Sequence, residues 1–304
     1  MNPRPRVLVT GAGGQVGREL LRAFDGRAQL IPCDRNVMDL SSPGQIRARV
    51  REAAPDIIIN TAAYTAVDRA ESEPELARAI NTEAPGILAE EARRAGALLV
   101  HYSTDYVFDG TKSGPWSEDD PTGPLSIYGA TKLAGEEAVR KAGGRHLIFR
   151  TSWVYGPHGK NFVFTMLRLG RERDTLNVVD DQVGAPTSSI EIANATRTIA
   201  LGLIEGRFGD ANDCSGVYNM TCSGTVSWCG FARAIFSRAP QLLGGKVPTV
   251  NAIPSTQFPT PARRPLNSVL SNEKLSRRFD VRLAPWEPAL DTVLAAISAT
   301  RLSA

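Results

Sequence analysis

Tyr128-Gly-Ala-Thr-Lys132 sets a phenol and an ammonium four residues apart, about 24 residues after the pair Ser103-Thr104. On a helix this spacing puts both side chains on one face, one turn apart. Free tyrosine titrates near pH ~10, so at neutral pH it is a poor base and a sluggish acid. An ammonium beside it favours the phenolate by charge attraction, and each pKa unit gained is worth roughly 1.4 kcal/mol. A threonine hydroxyl can hold a substrate oxygen in register for proton transfer. Thr104, Tyr128 and Lys132 are therefore read as the catalytic group. Tyr-x-x-x-Lys alone is most often a solvated helical pair, and the segments around it decide the matter.

The first apolar run, Arg6-Val-Leu-Val-Thr10, flows directly into Gly11-Ala-Gly-Gly14-Gln15-Val16-Gly17. Glycines 11, 14 and 17 give Gly-x-x-Gly-x-x-Gly, because Val16 occupies the last glycine of the usual dinucleotide fingerprint. The physics is the same: small residues let the backbone approach a pyrophosphate, and a helix N-terminus offers free N–H groups. By itself the loop could be a tight strand-to-helix turn. Asp34, about 20 residues on at a strand end, supplies the ribose carboxylate that a Rossmann unit needs. Asp34 favours a ribose 2′-OH and so NAD(H), whereas Arg35 beside it suits the 2′-phosphate of NADP(H). The cofactor reads as NADPH or NADH.

These groups need a scaffold, and the first half of the chain provides one. Apolar runs at Arg6–Thr10, Leu30–Asp34, Asp56–Asn60, Ala97–Ser103 and Leu147–Arg150 read as strands. Helical patterns over Gln15–Phe24, Gln45–Ala53, Glu75–Ala95 and Tyr128–Ala142 fall between them. Strands without polar alternation, separated by helices, predict a parallel sheet covered on both faces. Ligands bind such sheets outside the carboxyl ends of the strands. Gly11–Gly17, Asp34, Asn60–Tyr64, Ser103-Thr104 and Trp153 all fall at such ends. Proline and glycine rise in the second half, as in Gly184-Ala-Pro-Thr187 and Phe258-Pro-Thr-Pro261, with separate helices at Ser189–Ile204 and Ser227–Arg238. The expected fold is α/β: a Rossmann-type doubly wound parallel sheet with a smaller C-terminal substrate-binding lobe. Residues 1–152 form the NAD(P)-binding domain, with 188–220 returning to it, and 153–187 with 221–304 form the lobe.

Composition narrows the function classes. The 304 residues are 42% hydrophobic and 22% charged, with a net charge of +3. That is ordinary for a soluble globular protein. No Lys/Arg block reaches nucleic-acid density, and Arg263-Arg264 and Arg277-Arg278 read as solvated. The segment Met1–Arg6 lacks an apolar signal core, and no apolar stretch is long enough to span a membrane. Cys33, Cys214, Cys222 and Cys229 show no metal or disulfide spacing, which fits a cytoplasmic protein. Of the three histidines, His101 lies at a strand end and reads as packed.

With these residues in view, the chain resembles the extended short-chain dehydrogenase/reductase family, over nearly its whole length. The likeness rests on Ala62-Ala63-Tyr64-Thr-Ala-Val-Asp68, Ser103-Thr104-Asp105-Tyr106-Val-Phe-Asp-Gly110 and Tyr128-Gly-Ala-Thr-Lys132. It continues through Arg150-Thr-Ser-Trp153-Val-Tyr-Gly156, Asp180-Asp-Gln-Val-Gly-Ala-Pro-Thr187 and Pro261-Ala-Arg-Arg-Pro265. The resemblance implies reduction of the C4 ketone of a dTDP-linked 6-deoxy-4-hexulose, in nucleotide-sugar and cell-surface polysaccharide synthesis. It implies that Tyr128 gives the proton, Lys132 tunes it and holds the nicotinamide ribose, and Thr104 binds the reacting oxygen. Gly14-Gln15-Val16 would lie on the pyrophosphate, Asp34 with Asp39-Leu40 around the adenosine, and Ala62-Ala63-Tyr64 and Tyr102 further along. Asp105 and Trp153 would face the sugar nucleotide. Related dehydratases carry Thr-Asp-Glu where this chain has Thr104-Asp105-Tyr106, so water elimination is not expected. An epimerase stays open. So does a non-catalytic, NADP-binding regulatory subunit like that of methionine adenosyltransferase, although the intact Thr104, Tyr128 and Lys132 weigh against it. A homodimer is compatible with the resemblance, as is Mg2+ at a dimer contact. No ligands can be named for that metal, and Glu191 reads as a solvated helical acid.

Overall fold

The computed structural model describes residues 4–245 and 247–302. Met1–Pro3, the start of the segment read above for a leader, lie outside the described residues. Six strands form the central sheet: β1 (Arg6–Thr10), β2 (Gln29–Cys33), β3 (Ile57–Asn60), β4 (Leu98–Thr104), β5 (His146–Thr151) and β6 (Gly216–Asn219). Every neighbouring pair is parallel, in the order β6-β5-β4-β3-β1-β2. The chain leaves β1 to one side for β2 and returns to its other side for β3. The crevice at the carboxyl ends of β1 and β3 is therefore the topological switch point, where ligands of open α/β sheets bind.

Strand periodicity explains the layers. Val7, Val9, Ile57, Ile59, Leu98, Val100, Leu147 and Phe149 enter one buried cluster. The intervening Leu8, Ile58, Leu99 and Ile148 enter another on the opposite face. Alternate residues of a strand point to opposite faces, so strands buried on both sides must be apolar throughout. The first cluster takes Leu20 and Phe24 of α1 (Gln15–Phe24); the second takes Ile46 and Val50 of α2 (Pro43–Ala53) and Leu88 of α3 (Ala84–Ala95). It also takes Val139 of α4 (Ile127–Ala142).

The helix expected from Glu75 to Ala95 is one helical run with a wide turn inside it. Pro74–Arg78 is α-helical, Ala79–Glu83 is π-helical, and α3 follows. Pro85 has no N–H to give the carbonyl four residues back, at Asn81. A Cβ at Gly135 of α4 would stand 2.1 Å from that carbonyl oxygen, so only glycine allows the two helices this contact.

The second half builds the lobe around short strand pairs, including Thr175–Val179 with Thr249–Ile253 and Val154–Tyr155 with Thr187–Ser188. Its helices include α5 (Phe162–Glu172), α7 (Trp228–Arg238) and α9 (Trp286–Leu302), while α6 (Ser189–Ile204) packs on α1 and α8 (Glu273–Phe279) on β6. The cluster that holds Val7 and Val100 runs on to Phe231, Phe236 and Leu290, so sheet and lobe share one core.

One buried ion pair ties α4 to the sheet. Arg150 donates through Nε and Nη2 to the two Glu136 carboxylate oxygens at 2.9 and 2.7 Å, with both residues buried. Removing one partner of such a pair typically costs about 3–5 kcal/mol, because the other charge is stranded, whereas replacing both by apolar groups is far milder. Arg150→Met should lower stability by that amount in urea titration, and Glu136→Leu added to it should recover much of the loss. A single variant within ~1 kcal/mol of the parent would show that the pair does not hold α4.

Candidate active site

The loop after β1 is shaped for an anion. Gly11 has φ +62, and a Cβ there would lie 2.8 Å from Thr61 Oγ1 and 2.9 Å from the Ala62 nitrogen. A Cβ on Gly17 would lie 2.2 Å from the Gly11 carbonyl oxygen, whereas one on Gly13 would meet nothing within 4 Å. The loop is thus tight against the protein on its inner side and open on its outer side. Helix α1 follows with Gly14 as its N-cap, no side-chain cap and no acidic residue in its first turn. Free N–H groups and a positive helix end at an open glycine loop fit a pyrophosphate. Arg18, which sequence reasoning missed, donates from Nε to the Gly13 carbonyl and adds a cation beside the loop. Gln15 accepts at 2.9 Å from Asn161 at the start of α5, which links loop and lobe; Val16 packs against the core.

At the end of β2, exposed Asp34 accepts from the backbone N–H groups of Asn36 and Val37. Arg35 is exposed beside it. Asp39 accepts from the N–H and hydroxyl of Ser41, which hold its carboxyl below the usual range, and Leu40 is buried beneath it. Ala62 and Ala63 line the end of β3, with the Ala62 N–H donated to Thr10 Oγ1 at 3.3 Å. Tyr64 is fixed by Asn81: its N–H donates to Asn81 Oδ1 at 2.8 Å, and the amide returns a hydrogen bond to the Tyr64 carbonyl at 3.1 Å. Its hydroxyl donates to Glu73. Asn81 also reaches Thr131 on α4, so the π-helical turn secures this loop to α4.

Thr104, Asp105 and Tyr106 turn off the end of β4 while Tyr128 and Lys132 come from the start of α4. Thr104 donates to Asp105 Oδ1 at 3.0 Å and accepts from the Tyr106 N–H at 3.2 Å. Ser152 donates to Asp105 Oδ2 at 3.2 Å, and Ser268 bonds it from the lobe. Asp105 is buried, and burial pushes its carboxyl up to about 6 against the pull of these hydrogen bonds. Burial likewise pushes the Tyr128 phenol up to about 12; a hydrogen bond with Thr104 draws it down and the Asp105 charge raises it. Tyr106 packs edge-on against Tyr128, with ring centroids 5.6 Å apart. A Cβ at Gly129 would stand 2.3 Å from the Tyr106 carbonyl oxygen, so the α4 start and the β4 loop touch through glycine.

The expected direct lowering of Tyr128 by Lys132 is not found. Lys132 is 2% exposed, and its Nζ donates to the Tyr102 carbonyl at 2.6 Å, on the sheet side of the site. Burial brings the ammonium down to about 8, opposed by the charge of Glu136 one turn along. The phenol is therefore protonated at neutral pH and set to give a proton rather than take one. The Tyr102 ring packs on Phe149 with its hydroxyl 2.6 Å from Thr196, so what it offers Lys132 is its carbonyl.

Two side chains from the second half of the chain lie next to these loops. Trp153, half-buried after β5, has φ +48, a left-handed backbone that costs a non-glycine residue of order 1–3 kcal/mol. Its ring stacks on Trp228 with centroids 3.5 Å apart and 7° between planes, and a Cβ at Gly184 would lie 2.7 Å from it. Arg264 donates to both Asp68 oxygens at 3.0 and 2.9 Å and also bonds the Tyr106 hydroxyl. This arginine, in the quoted segment Pro261–Pro265, was read as solvated; it is half-buried because Asp68 follows the β3 loop it faces. Glu191 is also not free in solvent, since its carboxylate accepts from the Ala284 N–H at 3.0 Å. Among the described residues no group of three or more His, Cys, Asp or Glu side chains is placed to hold a metal, and no helix is long and apolar enough to cross a membrane.

The family model of the RmlD substrate binding domain matches residues 5–299. A dTDP-4-dehydrorhamnose reductase of Burkholderia thailandensis is 49% identical over 293 residues, covering 94% of this chain and 96% of its own. One from Salmonella typhimurium is 44% identical over 294 residues, covering 95% and 96%. The crystal structure of a Bacillus anthracis dTDP-4-dehydrorhamnose reductase in complex with NADP superposes with a TM-score of 0.88 at 34% identity, covering 96% of this chain and 99% of that one. The match spans both the sheet and the lobe, and the chain belongs to the RmlD substrate binding domain family of extended short-chain dehydrogenase/reductases.

Proposed function

We propose that this chain reduces the C4 ketone of dTDP-4-dehydro-L-rhamnose to the alcohol of dTDP-L-rhamnose, using NADPH or NADH. The observation that carries the reading is the meeting of Thr104 at the end of β4 with half-buried Tyr128 and buried Lys132 at the start of α4, beside an open glycine loop, in a chain like these reductases over 94% of its length. The open outer side of Gly11–Gly14, the α1 N-terminus and Arg18 would hold the pyrophosphate; Asp34, Arg35, Asp39 and Leu40 would surround the adenosine. Asp34 and Arg35, both exposed, support use of either cofactor. A reduced nicotinamide, when bound, supplies the hydride that C4 accepts.

The chain's own part is the proton and the geometry. As the C=O electron pair moves onto oxygen, Tyr128 gives that oxygen its phenolic proton. The new phenolate shares a helical face with Lys132, whose ammonium is held on the sheet side by the Tyr102 carbonyl and would orient the nicotinamide ribose. Thr104 has one hydroxyl proton, directed at Asp105 here. Turning it to the substrate oxygen leaves Asp105 bonded by Ser152 and Ser268. Tyr106 keeps an acid out of the position that water elimination needs. Free thiols suit a reducing cytoplasm, and all four cysteines are buried and unpaired.

The test is a steady-state assay of NADPH and NADH loss with dTDP-4-dehydro-L-rhamnose. Net, substrate-dependent oxidation is expected, and Tyr128→Phe should keep cofactor binding while losing about 10²–10⁴-fold in kcat. Cofactor binding without turnover would favour a binding subunit, and substrate conversion without net oxidation would favour an epimerase.

Trp153 is assigned to the wall of the sugar-nucleotide site, its strained backbone and Trp228 stack holding the ring in place. Trp153→Ala should raise KM for the sugar nucleotide about tenfold or more, with the cofactor dissociation constant unchanged. Unchanged KM together with a loss of roughly 3–5 kcal/mol in stability would make Trp153 lobe core instead.

A further inference from the structure

Behind Lys132 lies a row of buried polar side chains that the proposed reaction does not use. Thr10 is the register partner of Asn60, and Asn60 of His101, so the three stand side by side across β1, β3 and β4. Thr10 and Asn60 are 1% exposed and His101 fully buried. Thr10 Oγ1 is 2.6 Å from Asn60 Oδ1, the Asn60 amide 3.0 Å from His101 Nδ1, and His101 Nε2 3.4 Å from Lys132 Nζ. Strand β4 was expected to bury His101 as packing, yet both ring nitrogens meet polar partners. A buried polar row of this kind is costly unless each member is satisfied, so its bonding pattern is tightly constrained.

We propose that His101 is a positioning residue for Lys132: a neutral imidazole whose Nε2 accepts from the ammonium and, with the Tyr102 carbonyl, fixes two of its three protons and aims the third at the site. The inference rests on Lys132 acting as described under the proposed function. The donor count requires it. An ammonium offers donors only, so a facing ring nitrogen must accept, and the ring proton then sits on Nδ1. In the structure Thr10 Oγ1 donates to Asn60 Oδ1 and Asn60 Nδ2 faces His101 Nδ1; with the Asn60 amide turned over, the Nδ1 proton goes to the Asn60 oxygen and the amide NH2 to Thr10 Oγ1. The two ends of an amide have nearly the same shape, so this exchange needs only a small shift, the 2.6 Å Thr10–Asn60 contact opening to the ~2.9 Å of an N–H···O bond. A charged imidazole is excluded: it would set two cations against each other, and burial and Lys132 together hold its pKa well below the ordinary value. The groups facing the ring are Lys132 from α4 and Asn60 from β3, while Glu136 acts on the lysine from one turn along α4.

The chain's three histidines make the test direct. The full chain labelled with 15N-histidine gives ring nitrogen signals, those of His101 assigned by their loss in His101→Gln. His101 should stay neutral from pH 5.5 to 8 with its proton on Nδ1. A ring that titrates in that range, or carries its proton on Nε2, overturns the proposal. In kinetics, His101→Leu removes the acceptor and should lower kcat about tenfold to a hundredfold. His101→Gln, whose side-chain oxygen can accept from Nζ, should recover most of it. Equal activity of a folded Leu variant and the parent overturns the proposal, and a Leu variant that does not fold leaves the decision to the 15N spectrum of the parent. A chain inactive on the dTDP-sugar but with the Nδ1–H tautomer would remove the reductase reading and keep the lysine geometry.

Discussion

A lysine ammonium buried to 2% exposure must be held by acceptors or lose its proton, and the active cleft is arranged around that demand. Lys132 meets the carbonyl of Tyr102, which β4 can present only because α4 lies close against its carboxyl end. That close approach runs through glycines: Gly129 against the Tyr106 carbonyl and Gly135 against the Asn81 carbonyl. The Glu136–Arg150 pair then clamps the next turn of α4 to β5. Helix position, charge and the face that carries Tyr128 and Lys132 are thus one constraint seen at three scales.

Protonation states follow from the same burial. At neutral pH Tyr128, pushed up to about 12, holds its proton; Lys132, brought down to about 8, is still mostly charged; Asp105, near 6, is mostly ionised. These are the states that a reduction needs, since the site must release a proton and not accept one. Asp105 is an uncomfortable charge there. Its folded pKa lies above the ordinary carboxyl value of 3.8, so it favours the fold most at low pH, and that contribution is lost as pH rises through about 6. The hydrogen bonds from Thr104, Ser152 and Ser268 offset part of this cost, and the strained Trp153 lies next to Ser152. Strain and unfavourable charge gather in the cleft while the apolar strands beneath supply stability.

Much of the scaffold was legible because strands buried on both faces leave a continuous apolar record. Helices α1 and α6 begin and end where periodicity placed them, Gln15–Phe24 and Ser189–Ile204. The strand β6, with only Gly216–Asn219 to mark it, left no comparable run. The π-helical turn at Ala79–Glu83 was hidden because Pro85 in a helical pattern does not announce which carbonyl it frees. In the candidate site, residue types and spacing singled out Thr104, Tyr128 and Lys132, and the structure brings them to the end of β4 and the start of α4. Spacing could not give the direction of Lys132, because that depends on Tyr102 and His101 across the sheet. Arg264 and Ser268 were illegible for a related reason: they reach the β3 and β4 loops from more than 150 positions away, at Asp68 by 196 residues. Arg264 as solvated was the ordinary reading of a lone polar residue, and a partner distant in sequence changes it, whereas His101 is packed as read, with Asn60 and Lys132 at its ring nitrogens.

A buried Lys132 ammonium is proposed to sustain proton donation by Tyr128. The pH dependence of kcat/KM for reduction tests it most directly, because that quantity reports groups of the free enzyme. With the lysine near 8 and the phenol near 12, kcat/KM should hold through neutral pH and fall as pH rises through about 8, and Lys132→Arg should move that fall upward. A profile flat to pH ~10 in the parent, or one unmoved by Lys132→Arg, would contradict the account.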